Sequence, residues 1–162
     1  MASVILLADL STMEPGRFPP GVSEVGPAVP REVRDLTSAY AEAWSSGDPA
    51  AVNRLYAPDA VREDMVFGDR EESRDEIAAF ASRFREWYPD AKFAVVAPYG
   101  VGEPAVPGRP VVAAELTIAA SDADGTPCTV KAVVYLETKD GLIASERVYY
   151  GADSLIACGW AK

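Results

Sequence analysis

Apolar residues recur at helical spacing in the first regularly patterned part of the chain. Positions three or four apart mark one face of a helix, and here they are Val33, Leu36, Tyr40, Ala43 and Trp44. Pro30 suits the first turn of this helix, and Gly47 suits its end. The pattern predicts an amphipathic helix that ends at Ser46.

Two further helices and a strand are predicted downstream. Asp48 and Pro49 are typical of a helix start, and the short helix they open would bury Val52, Leu55 and Tyr56. Residues 60–67 are expected to form a strand. Ser73 and Glu76 form a capping box for a third helix. Its apolar face would comprise Ile77, Phe80, Ala81, Phe84, Trp87 and Tyr88.

The second half of the chain has the composition of strands. Residues 92–97, 110–121, 127–138 and 142–150 are rich in Val, Ile, Thr, Tyr and Ala, and Asp-Gly pairs at 124–125 and 140–141 are strong hairpin signals. Helices followed by an antiparallel meander predict an α+β fold. We expect a cone-shaped, curved antiparallel or mixed sheet wrapped around three N-terminal helices, with an apolar cavity between them.

The N-terminal segment has a different character. Residues 11–30 contain eight proline and glycine residues, by count, and little periodicity, which is typical of a linker or an arm lying over a surface. We therefore expect residues 1–30 to form a partly flexible arm and residues 31–162 to form a single domain.

Composition narrows the possible functions. The net charge of −10 and the pI near 4.5 argue against nucleic-acid partners and anionic membranes. The chain contains no histidine, which removes the usual acid–base residue and the commonest metal ligand, and no metal or other cofactor is expected. Cys128 and Cys158 are far apart without metal-ligand spacing. They are interpreted as reduced thiols of a cytoplasmic protein.

Asp64 is the main candidate for chemistry. It directly precedes the apolar run Met65-Val66-Phe67, and a carboxylate beside apolar surface must find partners or become easier to protonate. That environment suits a proton-transferring base. The alternative is that Asp64 caps a turn or pairs with Arg62 or Arg70. Strand alternation should direct its neighbour Glu63 to the opposite, solvated face.

Two stretches of the chain resemble a known family. These are Ala39–Asp48, with the letters AYAEAWSSGD, and Leu55–Asp64, with the letters LYAPDAVRED. Together with Ile77 in the third helix, they resemble the ketosteroid-isomerase and SnoaL-like branch of the nuclear transport factor two superfamily. The likeness spans roughly residues 31–155. It supports the cone fold, but the superfamily hosts many activities.

The resemblance implies roles for particular residues. Tyr40 matches the hydrogen-bond donor to a developing oxyanion, Asp64 matches the general base, and Tyr56 matches a supporting tyrosine. Val134 stands where those isomerases have a protonated aspartate, and Val148 stands where related cyclases and epoxide hydrolases have an acid. The remaining residues expected to line the substrate pocket are Trp44, Met65, Phe80, Phe84 and Leu136, together with Val134 and Tyr56.

The segment Tyr149–Leu155 is similar to the ending of polyether epoxide-opening cyclases, which pair the base with a second acid across the pocket. Glu115 is the candidate for that acid, because it lies in a nearly uncharged strand on a face that the family alignment turns toward the cavity. A raised pKa there would let it protonate an epoxide or carbonyl oxygen. A salt bridge between Glu115 and Lys131 is the alternative.

The expected function is a cofactor-independent acid–base enzyme that isomerises or cyclises a hydrophobic small molecule. A polyketide-type biosynthetic intermediate is favoured over a steroid, and a homodimer packed through the outer face of the sheet is expected. Two alternatives stay open. One is an epoxide hydrolase in which Asp64 activates water, and the other is a ligand-binding or assembly module without chemistry.

Overall fold

The structure, a computed structural model, describes residues 29–100, 110–122 and 124–160. Apart from its last two residues, the predicted arm over residues 1–30 lies outside the described part of the chain. None of the helices in the described ranges is long and apolar enough to cross a membrane.

Three helices form where the sequence predicts them. They are α1 (Arg31–Ser46), α2 (Pro49–Asn53) and α3 (Arg74–Trp87). Gly47 ends α1 with a φ of 68°, a left-handed conformation that favours glycine. Asp48 caps α2 by accepting a hydrogen bond from the backbone N–H of Ala50, at 2.9 Å. Ser73 caps α3 by accepting from the N–H of Glu76, at 3.2 Å.

Six strands form one curved mixed sheet. They are β1 (Tyr56–Asp64), β2 (Arg70–Glu71), β3 (Lys92–Gly100), β4 (Val111–Ser121), β5 (Pro127–Lys139) and β6 (Leu142–Tyr150). Their order is β2-β1-β6-β5-β4-β3, and β1 and β6 run parallel while all other neighbours are antiparallel. The sheet does not close, and the helices cover its inner face. The predicted α+β cone is confirmed.

The first strand differs from its prediction at both ends. β1 begins at Tyr56 and stops at Asp64, whereas residues 60–67 were expected to be extended. After Asp64 the chain turns, with the N–H of Gly68 donating to the carbonyl of Asp64 at 2.9 Å. Gly68 has a φ of 79°, which allows the reversal that pairs β2 with β1. The apolar run Met65–Phe67 is therefore an exposed turn.

The two predicted hairpins are present. In the β5–β6 turn, Asp140 and Gly141 both have positive φ, 54° and 80°, as a tight primed turn requires. Gly125 has a φ of 81° between β4 and β5. The register pairs Val134 of β5 with Ala114 of β4 and Val148 of β6. This register directs alternate side chains of the central strands toward the helices.

A fourth helix, α4 (Ala152–Ala157), was not predicted. Cys158 caps its end and forms a disulfide with Cys128 at the start of β5, with the two Cα atoms 5.5 Å apart. The prediction of two reduced thiols is thus wrong. Their sequence separation of 30 hid their proximity, because it is the tertiary packing of α4 against β5 that brings them together.

The core lies between the inner face of the sheet and the helices. Its fully buried side chains include Ile77 of α3, Leu116 of β4 and Leu136 of β5. The outer face is more polar, although Tyr135 and Tyr149 are about two-fifths exposed there and their rings lie 5.8 Å apart. The predicted homodimer would pack this face and stays a prediction.

Candidate functional site

A completely buried carboxylate lies at the centre of the inner face. Glu146 of β6 is 0% exposed. Its Oε1 accepts a hydrogen bond from the Tyr40 hydroxyl at 2.9 Å, and its Oε2 accepts one from the Tyr56 hydroxyl. The indole N–H of Trp44 donates to the Tyr56 oxygen at 3.2 Å. Two tyrosines from different elements therefore stabilise one buried anion.

Arg62 pairs with this carboxylate and with two others. Its Nε lies 3.4 Å from Oε1 of Glu146, its Nη1 lies 3.0 Å from Oε2 of Glu71, and its Nη2 lies 3.8 Å from Oδ2 of Asp64. Arg62 and Glu146 are direct neighbours in the parallel register of β1 and β6. The guanidinium also lies over the ring of Phe80, 4.3 Å from its centroid. One buried cation thus serves three carboxyl groups.

The network shifts the proton affinities of its members. Burial raises the pKa values of Tyr40 and Tyr56 well above 10, and the charge of Glu146 raises both further. Burial opposes the charged form of Arg62, but Glu146 and its neighbours outweigh this effect and raise the pKa of the guanidinium. Burial also raises the pKa of Glu71, against the influence of Arg62. Both tyrosines are therefore neutral hydrogen-bond donors at physiological pH.

Asp64 is at the end of β1, where the strand meets the turn, and is 4% exposed. Its Oδ1 accepts hydrogen bonds from the backbone N–H groups of Val66 and Phe67, at 3.0 and 2.9 Å. The other oxygen, Oδ2, faces Arg62. The turn-capping and Arg62-pairing alternatives are thus both realised. One oxygen holds the turn, while the carboxyl group still lines a pocket.

The cavity expected inside the cone is almost filled. It has a volume of only about 10 Å³, which is room for a single water molecule. Tyr40, Trp44, Phe84 and Val134 are among its lining residues, and their predicted contact with a substrate stays a prediction. A ligand larger than water cannot reach Tyr40 in this conformation, and the Tyr40 proton is already donated to Glu146.

A larger recess opens beside the interior cavity, and we call it the aromatic pocket. Its volume is about 190 Å³. Two carboxylates, Asp64 and Asp69, line it, and the remaining lining residues are all aromatic. Helix α3 and the residue after it contribute Phe80, Phe84, Trp87 and Tyr88, and other segments contribute Phe67, Tyr150 and Trp160. Drug-sized ligands need about 300–1,000 Å³, so this pocket suits a smaller molecule.

Tyr150 connects the two cavities, because its side chain lines both. Burial raises its pKa, and the charge of Asp64 raises it further, although Arg62 acts in the opposite direction. The Phe67 ring packs 5.9 Å from the Tyr150 ring, centroid to centroid. A neutral phenol therefore adjoins the Asp64 carboxylate in the aromatic pocket.

The structure relocates several predicted site residues. The expectation that Glu115 faces the cavity is wrong, because β4 turns Leu116 and Ile118 inward and leaves Glu115 half-buried on the opposite face. Its direct partner on β5 is Val133, whereas Lys131 pairs with Thr117. Met65 is 47% exposed and lines neither the interior cavity nor the aromatic pocket.

Two further expected pocket residues are purely internal. Leu136 is fully buried in the core, and Tyr56 is fully buried with its hydroxyl donating to Glu146. Tyr40 and Asp64 do not line a common cavity, but Arg62 links them through Glu146. In the described part of the chain, no group of three or more Cys, Asp or Glu side chains is arranged to hold a metal ion.

Sequence reasoning missed Glu146, Arg62 as a site residue, and Tyr150. Strand alternation carried a usable signal, because Arg62 and Asp64 are two apart on β1, and Glu146, Val148 and Tyr150 are two apart on β6. Those positions share the inner face on each strand. The family resemblance instead directed attention to position 148, where related enzymes have an acid and this chain has Val148, two residues beyond Glu146.

Comparison with known proteins identifies the family. The sequence model of the SnoaL-like domain matches residues 37–146. A search of curated proteins found no significant match.

Solved structures share the fold at low sequence identity. A hypothetical protein with a ketosteroid isomerase-like fold from Catenulispora acidiphila, in complex with trimethylamine, has a TM-score of 0.68 at 22% identity, covering 79% of this chain and 94% of that one. IdmH, a candidate polyketide cyclase from Streptomyces antibioticus, has a TM-score of 0.64 at 20% identity, covering 79% and 98%. Another candidate polyketide cyclase, from Xanthomonas campestris, has a TM-score of 0.66 at 24% identity, covering 78% and 96%.

Proposed function

This chain belongs to the SnoaL-like domain family, and from that premise we propose that it is a cofactor-independent enzyme that isomerises or cyclises a small molecule by proton transfer. The observation that carries the proposal is the position of the Asp64 carboxyl group in an otherwise aromatic pocket. The two candidate polyketide cyclases among the structural neighbours support this reaction class. A polyketide-type intermediate is the favoured substrate, in a form or fragment small enough for the pocket.

Asp64 acts as the base. Its Oδ1 is fixed by two backbone N–H groups, so the orientation of the carboxyl group is set before a substrate binds. Oδ2 is left to accept a proton from a C–H bond next to a substrate carbonyl. The electron pair of that bond then moves onto the carbonyl oxygen and forms an enolate. A positioned base contributes about 100- to 10,000-fold to such a step.

Tyr150 is the donor to the enolate oxygen in this proposal, in place of Tyr40. Its side chain lines the aromatic pocket together with Asp64, and its raised pKa keeps it protonated. Tyr40 lies deeper in the protein, where its hydroxyl donates a hydrogen bond to Glu146. Arg62 and Glu146 hold the site together. Isomerisation follows when the proton returns to a different carbon, and cyclisation follows when the enolate carbon attacks a second carbonyl.

The test is hydrogen exchange at carbon. The full chain is incubated in heavy water with small apolar ketones such as β-tetralone, and proton NMR follows the loss of the signal next to the carbonyl. Enzyme-dependent exchange supports the proposal, whatever the later fate of the enolate. A chain that retains ketones without exchange would instead be a binding module.

Epoxide hydrolysis is the second candidate, and one observation favours it. The interior cavity has room for one water molecule beside Arg62, and the same guanidinium lies 3.8 Å from Oδ2 of Asp64. Asp64 would then activate water and yield a diol. Incubation with small epoxides in labelled water separates the two functions, because hydrolysis places solvent oxygen in the product and isomerisation or cyclisation does not.

A further inference from the structure

We propose that the aromatic pocket selects organic cations, so that compounds bearing a protonated tertiary amine or a quaternary ammonium group are the substrate class of this site. The inference rests on the proposed function, because it places the ligand beside Asp64, where the reacting carbon must lie. It adds a selectivity for charge that proton transfer by itself does not require.

The first step of the argument is the wall of the pocket. The ring centroids of Tyr88 and Trp160 are 4.3 Å apart, and Phe84 lies 5.1 Å from Tyr88 and 5.7 Å from Trp160. The faces of aromatic rings are partly negative, and they attract a cation within about 6 Å of the centroid. This ring cluster therefore offers a weakly hydrated ammonium group both apolar contact and electrostatic attraction.

The fold already places a cation against the neighbouring inner rings. The guanidinium of Arg62 lies 4.3 Å from the centroid of Phe80 and 5.5 Å from that of Trp44. The guanidinium of the exposed Arg83 also lies near Phe80, 5.7 Å from the centroid of its ring. Within the described ranges, no lysine or arginine stacks on Tyr88 or Trp160. The rings of Tyr88 and Trp160 are thus open to a cation that belongs to the ligand.

The second step is the charge of the pocket. Asp64 and Asp69 line it, and none of its described lining residues is basic. Asp69 forms no ion pair with the described part of the chain, while Asp64 shares Arg62 with Glu71 and Glu146. One guanidinium cannot neutralise this many carboxyl groups at short range, so a cationic ligand lowers the electrostatic energy of the site.

The charge distinguishes this ligand class from a neutral one. Aromatic walls alone would also accept a neutral apolar molecule. Two carboxylates in the same wall penalise a neutral ligand, which must displace their hydration without replacing it. The net charge of −10 further draws cations toward the protein and repels anions.

The experiment compares choline with its neutral carbon isostere, in which a tert-butyl group replaces the trimethylammonium group. Binding to the full chain is measured by titration calorimetry and by the fluorescence of the pocket tryptophans. We expect choline to bind about tenfold more tightly than the isostere or better, as cation–π contact and a nearby carboxylate imply. Equal affinities, tighter binding of the isostere, or no saturable choline binding would overturn the inference.

Two variants locate the selectivity. Asp69→Asn should weaken choline binding several-fold and leave the isostere unchanged, whereas Trp160→Leu, which removes one ring, should weaken the binding of choline more than that of the isostere. Asp59→Asn, which removes an equal charge from the outer face, is the control and should change neither. If Asp69→Asn and Asp59→Asn weaken choline binding equally, long-range attraction explains the preference and the site assignment is wrong.

This test is separable from that of the proposed function, because binding needs no turnover. Exchange of ketone hydrogens without cation preference would remove the substrate class and leave the acid–base function standing. A preference for cations, together with no hydrogen exchange on either ammonium-bearing or neutral ketones, would rule out the proposed function and leave the cation-binding site standing.

Discussion

The hydroxyl of Tyr40 donates a 2.9 Å hydrogen bond to Oε1 of Glu146, and both side chains are buried on the inner face of the sheet. The family resemblance assigns Tyr40 as the hydrogen-bond donor to an oxyanion, but its hydroxyl proton is already donated to Glu146. The pair belongs to a buried network in which Arg62 supplies the cation. Breaking a buried ion pair leaves an uncompensated charge in the protein interior, which is more costly than losing an exposed one.

Glu146→Gln should accordingly destabilise the protein strongly. It keeps the shape of the side chain but removes the charge that faces Arg62, and we expect a loss of about 3 kcal/mol in the free energy of unfolding, measured by urea titration. Glu63→Gln is the matched control, because Glu63 pairs with Arg70 and Arg147 on the opposite, partly exposed face. The control should lose about 1 kcal/mol or less. Similar losses in both variants would contradict the central place given to the buried network.

The buried tyrosines predict a loss of stability at alkaline pH. Tyr40, Tyr56 and Tyr150 all have pKa values raised above 10 in the folded protein, chiefly by burial. The unfolded chain ionises these phenols first, near their ordinary pKa of about 10. Their contribution to stability is therefore complete below that pH and decreases as the pH rises above it.

The measurement combines two signals during one alkaline titration, the ultraviolet absorbance of tyrosinate and the circular dichroism of the fold. We expect these three tyrosines to ionise only together with unfolding. Ionisation of all seven tyrosines of the chain with the fold intact would show that the burial inferred here is absent in solution.

The disulfide predicts sensitivity to reduction. Cys128 and Cys158 close a loop with a sequence separation of 30, and a cross-link of that span stabilises by about 3–4 kcal/mol in the chain-entropy model. Reduction, or the double variant Cys128→Ser/Cys158→Ser, should lower Tm by about 6–16 °C in a domain of this size. Mass spectrometry of the alkylated, unreduced protein checks the bond itself. Two alkylated cysteines in oxidised, folded protein would restore the prediction of free thiols.

The helices and most strands could be predicted because their signals are local. Apolar spacing, with Pro30 and Gly47 at the ends, predicted α1. The Asp140–Gly141 pair predicted a hairpin, because few other residue pairs adopt the two positive φ values of its turn. The end of β1 was misjudged because Met65–Phe67 is apolar but lies in a turn that Asp64 and Gly68 stabilise. Local hydrophobicity cannot distinguish a buried strand from an exposed apolar turn.

The candidate site was predicted less completely because it depends on register. Arg62 meets Glu146 only because β1 pairs with β6 in parallel, across more than eighty residues of sequence. Glu115 was predicted on the inner face of β4 but lies on the outer face. The reason is the same, since a shift of one residue in register exchanges the two faces of a strand. The position of Asp64 at a pocket could be expected from its apolar neighbours and from ungapped likeness to the family, and its role as the base stays a prediction.

The most direct test of the proposed function is the rate of ketone hydrogen exchange in Asp64→Asn. This substitution preserves size but removes the proton acceptor, so the enzyme-dependent rate should fall about 100- to 10,000-fold. Asp59→Asn, with its equal change of charge on the outer face, should exchange at the rate of the unsubstituted protein, and both variants should retain the circular dichroism of the fold. An Asp64→Asn protein that is folded and exchanges at an undiminished rate would contradict the assignment of Asp64 as the base.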